Sequence, residues 1–432
     1  MLKYLLIAIT VVITSFYFFP FEFVFLPDIN TKMALAGIGL VIWGFNLAEH
    51  KAGIDKDIFV LSLIAILLSL LSLATMIYNI TSDNSFLTYF ISAWVWLGGA
   101  YAATRLMKFV HGYLSVRLIC NYLITVCVIQ CLIAYTMTIC PPLKDFIDSF
   151  LGGDEAFMGK AGDRMYGIGC ALDVAGMRFA AILVMIAFIG VHSLRLNNFQ
   201  TLLYVVAFII IGIVGNMIGR SATIGMGIVI IYWAIMFLNE NTRKRTNIVR
   251  LLKVLGILLA ATIPLIIFMY YVDPIFKEKI RFGFEGFFAL AETGRWQTGS
   301  NDVLLNHMIV FPNSLKTWLI GDGYCANPAS DMYYTGPSYH GFYMGTDIGY
   351  LRFLFYFGFF GIVTLICFIC KAAFICVRRF PLYKDMFLML LMVNLIIWFK
   401  ASTDIFLVFA PFLCLASEDS ISQNINQNKL IS

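Results

Sequence analysis

The chain has 432 residues, 61% of them hydrophobic and 13% charged, with a mean hydropathy of +0.86. That much apolar surface cannot be hidden inside a water-soluble core, so composition excludes an ordinary soluble domain and requires lipid as the solvent. The formal net charge of +5 points to no nucleic-acid partner, because the basic residues gather in short connections where membrane topology accounts for them.

A spanning helix takes about 20 mostly apolar residues. The hydropathy pattern predicts about twelve, at 5–19, 33–48, 58–78, 86–103, 118–140, 177–194, 202–218, 222–238, 251–271, 349–370, 386–399 and 405–416. The fold class expected is therefore an all-α integral membrane protein, with 1–416 as a single polytopic membrane domain and 417–432 as a polar tail. Pro20 and Glu22 interrupt the first span, and only KASTD separates the last two. The connections EHKAGIDKD, RLMKFVHGYLSVR, NENTRKRTNIVR and CKAAFICVRRFPLYK follow even-numbered spans and carry the Lys and Arg clusters, which marks them cytoplasmic together with both termini. The alternate connections face outward: PDINTK, NITSDNS, 141–176, the tight turn of Gly219, Arg220 and Ser221, and 272–347. The two long ones are where a site in water can form, the second of them carrying helices between the ninth and tenth spans.

Met1 to Phe25 has no small-residue cleavage site and reads as a first span, and no repeat at a solenoid period is found. Most of the ten cysteines fall inside spans, where a thiol acts as a small hydrophobe. Cys140, Cys170 and Cys325 fall on the outer side, where one disulfide would be available with its pairing left open. HExxH and Walker A motifs are absent, so the reading expects neither metal nor cofactor.

Four polar segments remain, all on the expected outer face. GDRMYGIGCALDVAGMRF brings Arg164, Asp173 and Arg178 to the start of the sixth span, as a substrate lip or an ordinary loop. GNMIGRSATIGMG puts Arg220 in a turn between two spans, where a guanidinium either anchors on lipid phosphate or serves as a fixed fork for a phosphorylated substrate. ETGRWQTGSNDVLLNHMIVFPNSLKTWLIGDGY carries Glu292 and Arg295 ahead of a helix predicted over 303–310, with a GDG turn beyond it. TDIGYLRFLFYFGFFG re-enters the membrane with Asp347 at the lip, where it either caps the helix or acts chemically, followed by Tyr350 and by Arg352 about one turn inside.

The order of these motifs, R..GIG.ALD..G.RF, then GRS between two spans, then TGR with GxGY, then D.GYLR.LFYFGFFG, resembles the O-antigen ligase and Wzy-type polysaccharide polymerase superfamily. The resemblance runs from Arg164 to Gly361 and implies a GT-C-like glycosyltransferase of the bacterial inner membrane acting on undecaprenyl-diphosphate-linked oligosaccharide. It implies that Arg220 and Arg295 match the paired arginines that hold the donor's diphosphate, and that a chain-length regulator is a partner. The ligase branch has histidine where this chain has Asp347, which favours a repeat-unit polymerase over a ligase and leaves His340, seven residues upstream, as a second candidate base.

The chemistry of such a transfer fits those residue types. Negative charge grows on the departing diphosphate, so guanidinium groups set in advance stabilise the transition state. The acceptor hydroxyl loses a proton as it attacks, a task for Asp347 first, His340 second and Glu292 third, and direct attack inverts the anomeric centre. Arg164, Arg178, Glu292, Tyr350 and Arg352 are expected to bind substrate, and Tyr333, Tyr334, Tyr339 and Tyr343 to stack on sugar or to form a headgroup belt. The rival class, a lipid-glycan flippase, would put its charge at mid-membrane and show related halves.

Overall fold

The computed structural model describes residues 1–49, 55–152, 164–192, 197–238, 242–332, 334–339 and 341–415. His340, Tyr333 and the tail 417–432 lie outside the described residues. Among the described residues the chain forms α1 (Leu2–Phe18), strands β1 (Glu22–Phe23) and β2 (Leu26–Asn30), α2 (Thr31–Ala48), α3 (Lys56–Asn79), α4 (Tyr89–His111), α5 (Val116–Ile139), α6 (Pro141–Asp148) and β3 (Leu151–Gly152). There follow α7 (Leu172–His192), α8 (Asn198–Ile218), α9 (Ala222–Leu238), α10 (Thr242–Val272), α11 (Pro274–Gly283), α12 (Glu285–Thr293), α13 (Gly299–Val303), α14 (Leu315–Leu319), α15 (Gly349–Arg379), α16 (Lys384–Ile397) and α17 (Phe406–Leu413). Seven of these, α2, α3, α5, α7, α8, α10 and α15, are long and apolar enough to cross a membrane, as in a multi-pass helical membrane protein, and α1 and α9 are shorter apolar helices.

Helix starts follow local chemistry. Asp55 accepts from the Asp57 N–H at 2.9 Å, Ser115 from Leu118 at 3.1 Å, and Asn197 from Gln200 at 2.7 Å, so α3, α5 and α8 each begin on a side-chain cap. The first span stops at Phe18, and the chain after Pro20 turns into β1, which pairs antiparallel with both β2 and β3. Sequence reading treats this stretch as connection. Thr31 holds the hairpin to α1, donating to the Phe16 carbonyl at 2.9 Å and accepting from the Phe21 N–H at 3.3 Å.

Two compact units emerge. The first comprises Met1–Leu35 and Ala102–Glu292, the second Ala36–Tyr101 and Thr293–Cys414. In the first unit α7 is predominantly apolar and buried along nearly its whole length, with α5, α8, α9 and α10 packed around it. In the second unit α15 has the same role among α3, α14, α16 and α17.

α15 is one element with a break in it. Phe357 (φ −131°, ψ 20°) and Gly358 (φ 65°, ψ −164°) leave helical geometry, which frees carbonyls inside an apolar surrounding. The GDGY loop supplies the missing donors: the Asp322 N–H reaches the Phe355 carbonyl at 2.6 Å and the Gly323 N–H reaches that of Tyr356 at 3.0 Å. The end of α3 fixes the loop from its other side, as Thr75 donates to the Ile320 carbonyl (3.2 Å) and Asp83 accepts from the N–H groups of Cys325 and Ala326 (2.7 and 2.8 Å). The helix expected over 303–310 forms earlier, as α13 and a π turn over Leu304–Met308, because Thr298 caps it by accepting from Asn301 at 3.1 Å.

Candidate functional site

In the first unit, Arg220 is the middle residue of the turn between α8 and α9. Gly219 has extended backbone (φ −154°, ψ 113°), so glycine is needed there for room and not for a left-handed conformation. A Cβ would stand 3.0 Å from the Gly176 nitrogen and collide with the Leu172 carbonyl at the start of α7. Ser221 completes the clamp: its hydroxyl donates to the Asp173 carboxylate at 3.1 Å and to the Asp173 carbonyl at 3.2 Å.

So held, the Arg220 side chain is 15% exposed and pairs with Glu285 in the first turn of α12. Its guanidinium also lies 4.7 Å from the centre of the Phe282 ring, and that of Arg164 lies 5.2 Å from the same ring. Those distances keep the two guanidinium carbons within about 10 Å of each other, with the Phe282 ring shared between them. Backbone contacts bring them together. The Met165 N–H donates to the Met217 carbonyl at 3.3 Å, and Gly283 packs on the backbone of Asn216 and Met217. An apolar groove of about 610 Å³ between α8, α9 and α10 includes Phe284, the residue before Glu285.

Two other candidates of this unit are engaged elsewhere. Arg178 is 6% exposed in α7, donates to the Phe18 carbonyl and lies 5.3 Å over the Phe19 ring, so it ties α7 to the end of α1. Glu292 is exposed and receives both arms of Arg281, at 2.7 and 3.0 Å. Those hydrogen bonds hold its carboxyl below the usual glutamate range, which weakens it as a proton acceptor.

The second unit carries the remaining residues. Arg295 is exposed beside the Gly294 turn, and among the described residues its guanidinium meets no acidic partner. Asp347 is half-buried just ahead of α15. The N-cap position of α15 falls on Ile348, one residue beyond it, and carries no side-chain cap. Tyr350 donates its hydroxyl to the Leu395 carbonyl at 2.8 Å and packs edge-on against Trp398. Arg352 donates to the Ser402 hydroxyl at 2.6 Å and to the Cys325 sulfur at 3.2 Å, and its guanidinium stacks 3.4 Å over Phe342.

A tyrosine cluster adjoins the GDGY loop. Tyr324 contacts Tyr334 and Tyr343, and Tyr343 contacts Tyr339, with ring centres 5.3 to 5.5 Å apart. Tyr324 donates to Asp331 at 3.0 Å and Tyr343 to Asp322 at 3.3 Å. Burial, followed by the carboxylate it serves, pushes the Tyr324 phenol up to about 12, and the same causes raise Tyr343. The Tyr324 and Tyr343 phenols therefore stay neutral donors at physiological pH. Asp322 also receives Lys316 at 2.9 Å and Thr317 at 2.8 Å, which makes it the junction of loop, helix and aromatic cluster.

Sequence reading missed Phe282, Glu285 and Asp322. The first two sit three residues apart in RFGFEG, a spacing that suits a shared face, yet nothing in the string ties them to a turn some sixty residues earlier. All ten cysteines are free thiols, including Cys140, Cys170 and Cys325. Among the described residues no three His, Cys, Asp or Glu side chains converge as metal ligands do. No protein-family model, curated protein or solved structure matches the chain.

Proposed function

We propose that the chain is a glycosyltransferase of the bacterial inner membrane that uses a lipid diphosphate as donor. Its reaction is the polymerisation of polysaccharide repeat units, moving a growing glycan from undecaprenyl diphosphate onto a lipid-linked repeat with inversion. We propose with it about twelve spans in a GT-C-like arrangement, with both termini inside and the site outside.

The observation that carries it is the convergence of Arg164 and Arg220 on the Phe282 ring, with Arg220 held in a rigid turn and paired with Glu285. Guanidinium forks match phosphate oxygens, so two of them within reach of one another suit a diphosphate. Glu285 occupies Arg220 at rest and gives way to the donor's diphosphate, while the apolar groove reaching Phe284 suits the polyprenyl chain. An acceptor hydroxyl oxygen bonds to the anomeric carbon, the bond from that carbon to the diphosphate oxygen breaks, and the diphosphate leaves with the electron pair. The hydroxyl proton goes to a base, a role that the resemblance gives to Asp347, as it gives Arg295 a contact with diphosphate.

The test is purified protein with lipid-diphosphate repeat units and no nucleotide. Products longer than one repeat are expected, and Arg220→Ala should lower their rate by about 10²- to 10³-fold, the size of losing one transition-state charge donor. Undiminished polymer from Arg220→Ala would remove this centre from the mechanism. Transfer of preformed polymer to a different acceptor, with no lengthening, would make the protein a ligase instead.

A further inference from the structure

At the end of α8 away from Arg220, about 30 Å along its 21 residues, the first unit holds a second groove. It has a volume of about 620 Å³ and runs between α5 and α8. Arg117, Asn121, Ile124 and Val128 line it from α5 at spacings of four, three and four residues, one face of a helix, and Leu203 and Ala207 line it from α8. The groove is thus polar at the α5 start and apolar further along.

Its polar end carries the Arg117 cation, and no Asp or Glu is among its lining residues. The Tyr204 hydroxyl donates to the Asn121 side-chain carbonyl at 2.7 Å, which leaves the Asn121 amide nitrogen as a donor. Among the described residues neither that nitrogen nor the half-buried Arg117 guanidinium has an acceptor. A half-buried arginine with no counter-ion is costly beside an apolar wall, and an anion supplied from outside removes that cost. The surrounding chain favours one, since 105–117 contains Arg105, Lys108 and Arg117 and no Asp or Glu.

We infer that this groove is a binding site for one anionic glycerophospholipid from the leaflet opposite the Arg220 turn. The phosphate lies on Arg117 and Asn121, and one acyl chain runs along Ile124 and Val128. A donor-rich head adjoining an apolar run fits an amphiphile and fits neither a free anion nor a wholly apolar ligand. The inference does not depend on the activity proposed above.

The experiment is native mass spectrometry of the full-length protein, delipidated in detergent and titrated with phosphatidylglycerol or phosphatidylcholine of identical chains. Wild type should retain one phosphatidylglycerol with about ten-fold preference over phosphatidylcholine, the scale of one charge-assisted phosphate contact. Arg117→Ala should abolish the preference, and Val128→Trp, which fills the apolar run and keeps the arginine, should weaken binding of both lipids. Unchanged preference in Arg117→Ala overturns the inference. So does unchanged retention in Val128→Trp, or displacement of the lipid by millimolar inorganic phosphate, which would identify a soluble anion as the ligand.

Discussion

Replacing Gly358 by alanine isolates the break in α15. The native backbone there, φ 65° and ψ −164°, lies in a region that side-chain-bearing residues enter only at about 1–3 kcal/mol. A Cβ would also stand 2.6 Å from the Ile320 nitrogen and collide with the Leu319 carbonyl group, and forcing an extra carbon into a closed contact costs about 1–3 kcal/mol more. Relief by moving the loop is not free. It breaks the bonds from Asp322 and Gly323 to the Phe355 and Tyr356 carbonyls, and an unsatisfied buried carbonyl costs about 1–3 kcal/mol. The expected loss is about 2 to 6 kcal/mol, whichever way the strain is relieved. Equilibrium unfolding in detergent micelles measures it, and hydrogen exchange at the Asp322 and Gly323 amides reports whether the loop has let go. A variant within about 1 kcal/mol of wild type, with those amides still protected, would refute the reasoning.

Gly219→Ala tests the clamp on Arg220 without touching its charge. The new Cβ meets the start of α7, so a stability loss of about 1–3 kcal/mol is expected from overpacking, with the proposed glycan transfer falling further than stability because the guanidinium moves. Normal transfer by a correctly folded variant would show that the turn's position is immaterial. Glu292 gives a pH prediction. Its carboxyl titrates below the ordinary glutamate range because Arg281 binds the charged form, so the pair's stabilisation is present above the unfolded value of about 4.3 and is lost as pH falls through the folded one. Carboxyl NMR titration should show Arg281→Ala restoring the ordinary midpoint, and an unmoved midpoint would exclude the pair as its cause.

The candidate site was legible in part. Arg220 was found because a charge beside an apolar span is expensive and rarely accidental. Arg164 was found by its neighbourhood of glycines, and the structure gives it a definite partner in Phe282. Arg178 reads the same in sequence as Arg164, with a cation near a membrane helix, yet it is buried against the end of α1. Only packing separates the two, because side-chain direction depends on which face of α7 meets which neighbour. The GDG turn was seen as a turn. Its use as hydrogen-bond donor to a broken helix was invisible, since the donors and the carbonyls they serve are more than thirty residues apart.

By itself the sequence determined the solvent and the element type: apolar runs that long must be helical, because lipid offers the backbone no other partner. It also determined where polar chain was long enough to build anything in water. Tertiary structure alone decided which charges meet, placing Glu285 on Arg220 and Arg281 on Glu292. Hydropathy reports the free energy of one residue against one solvent. The pairing of charges depends on distances between residues far apart in the chain, and those exist only once the helices have packed.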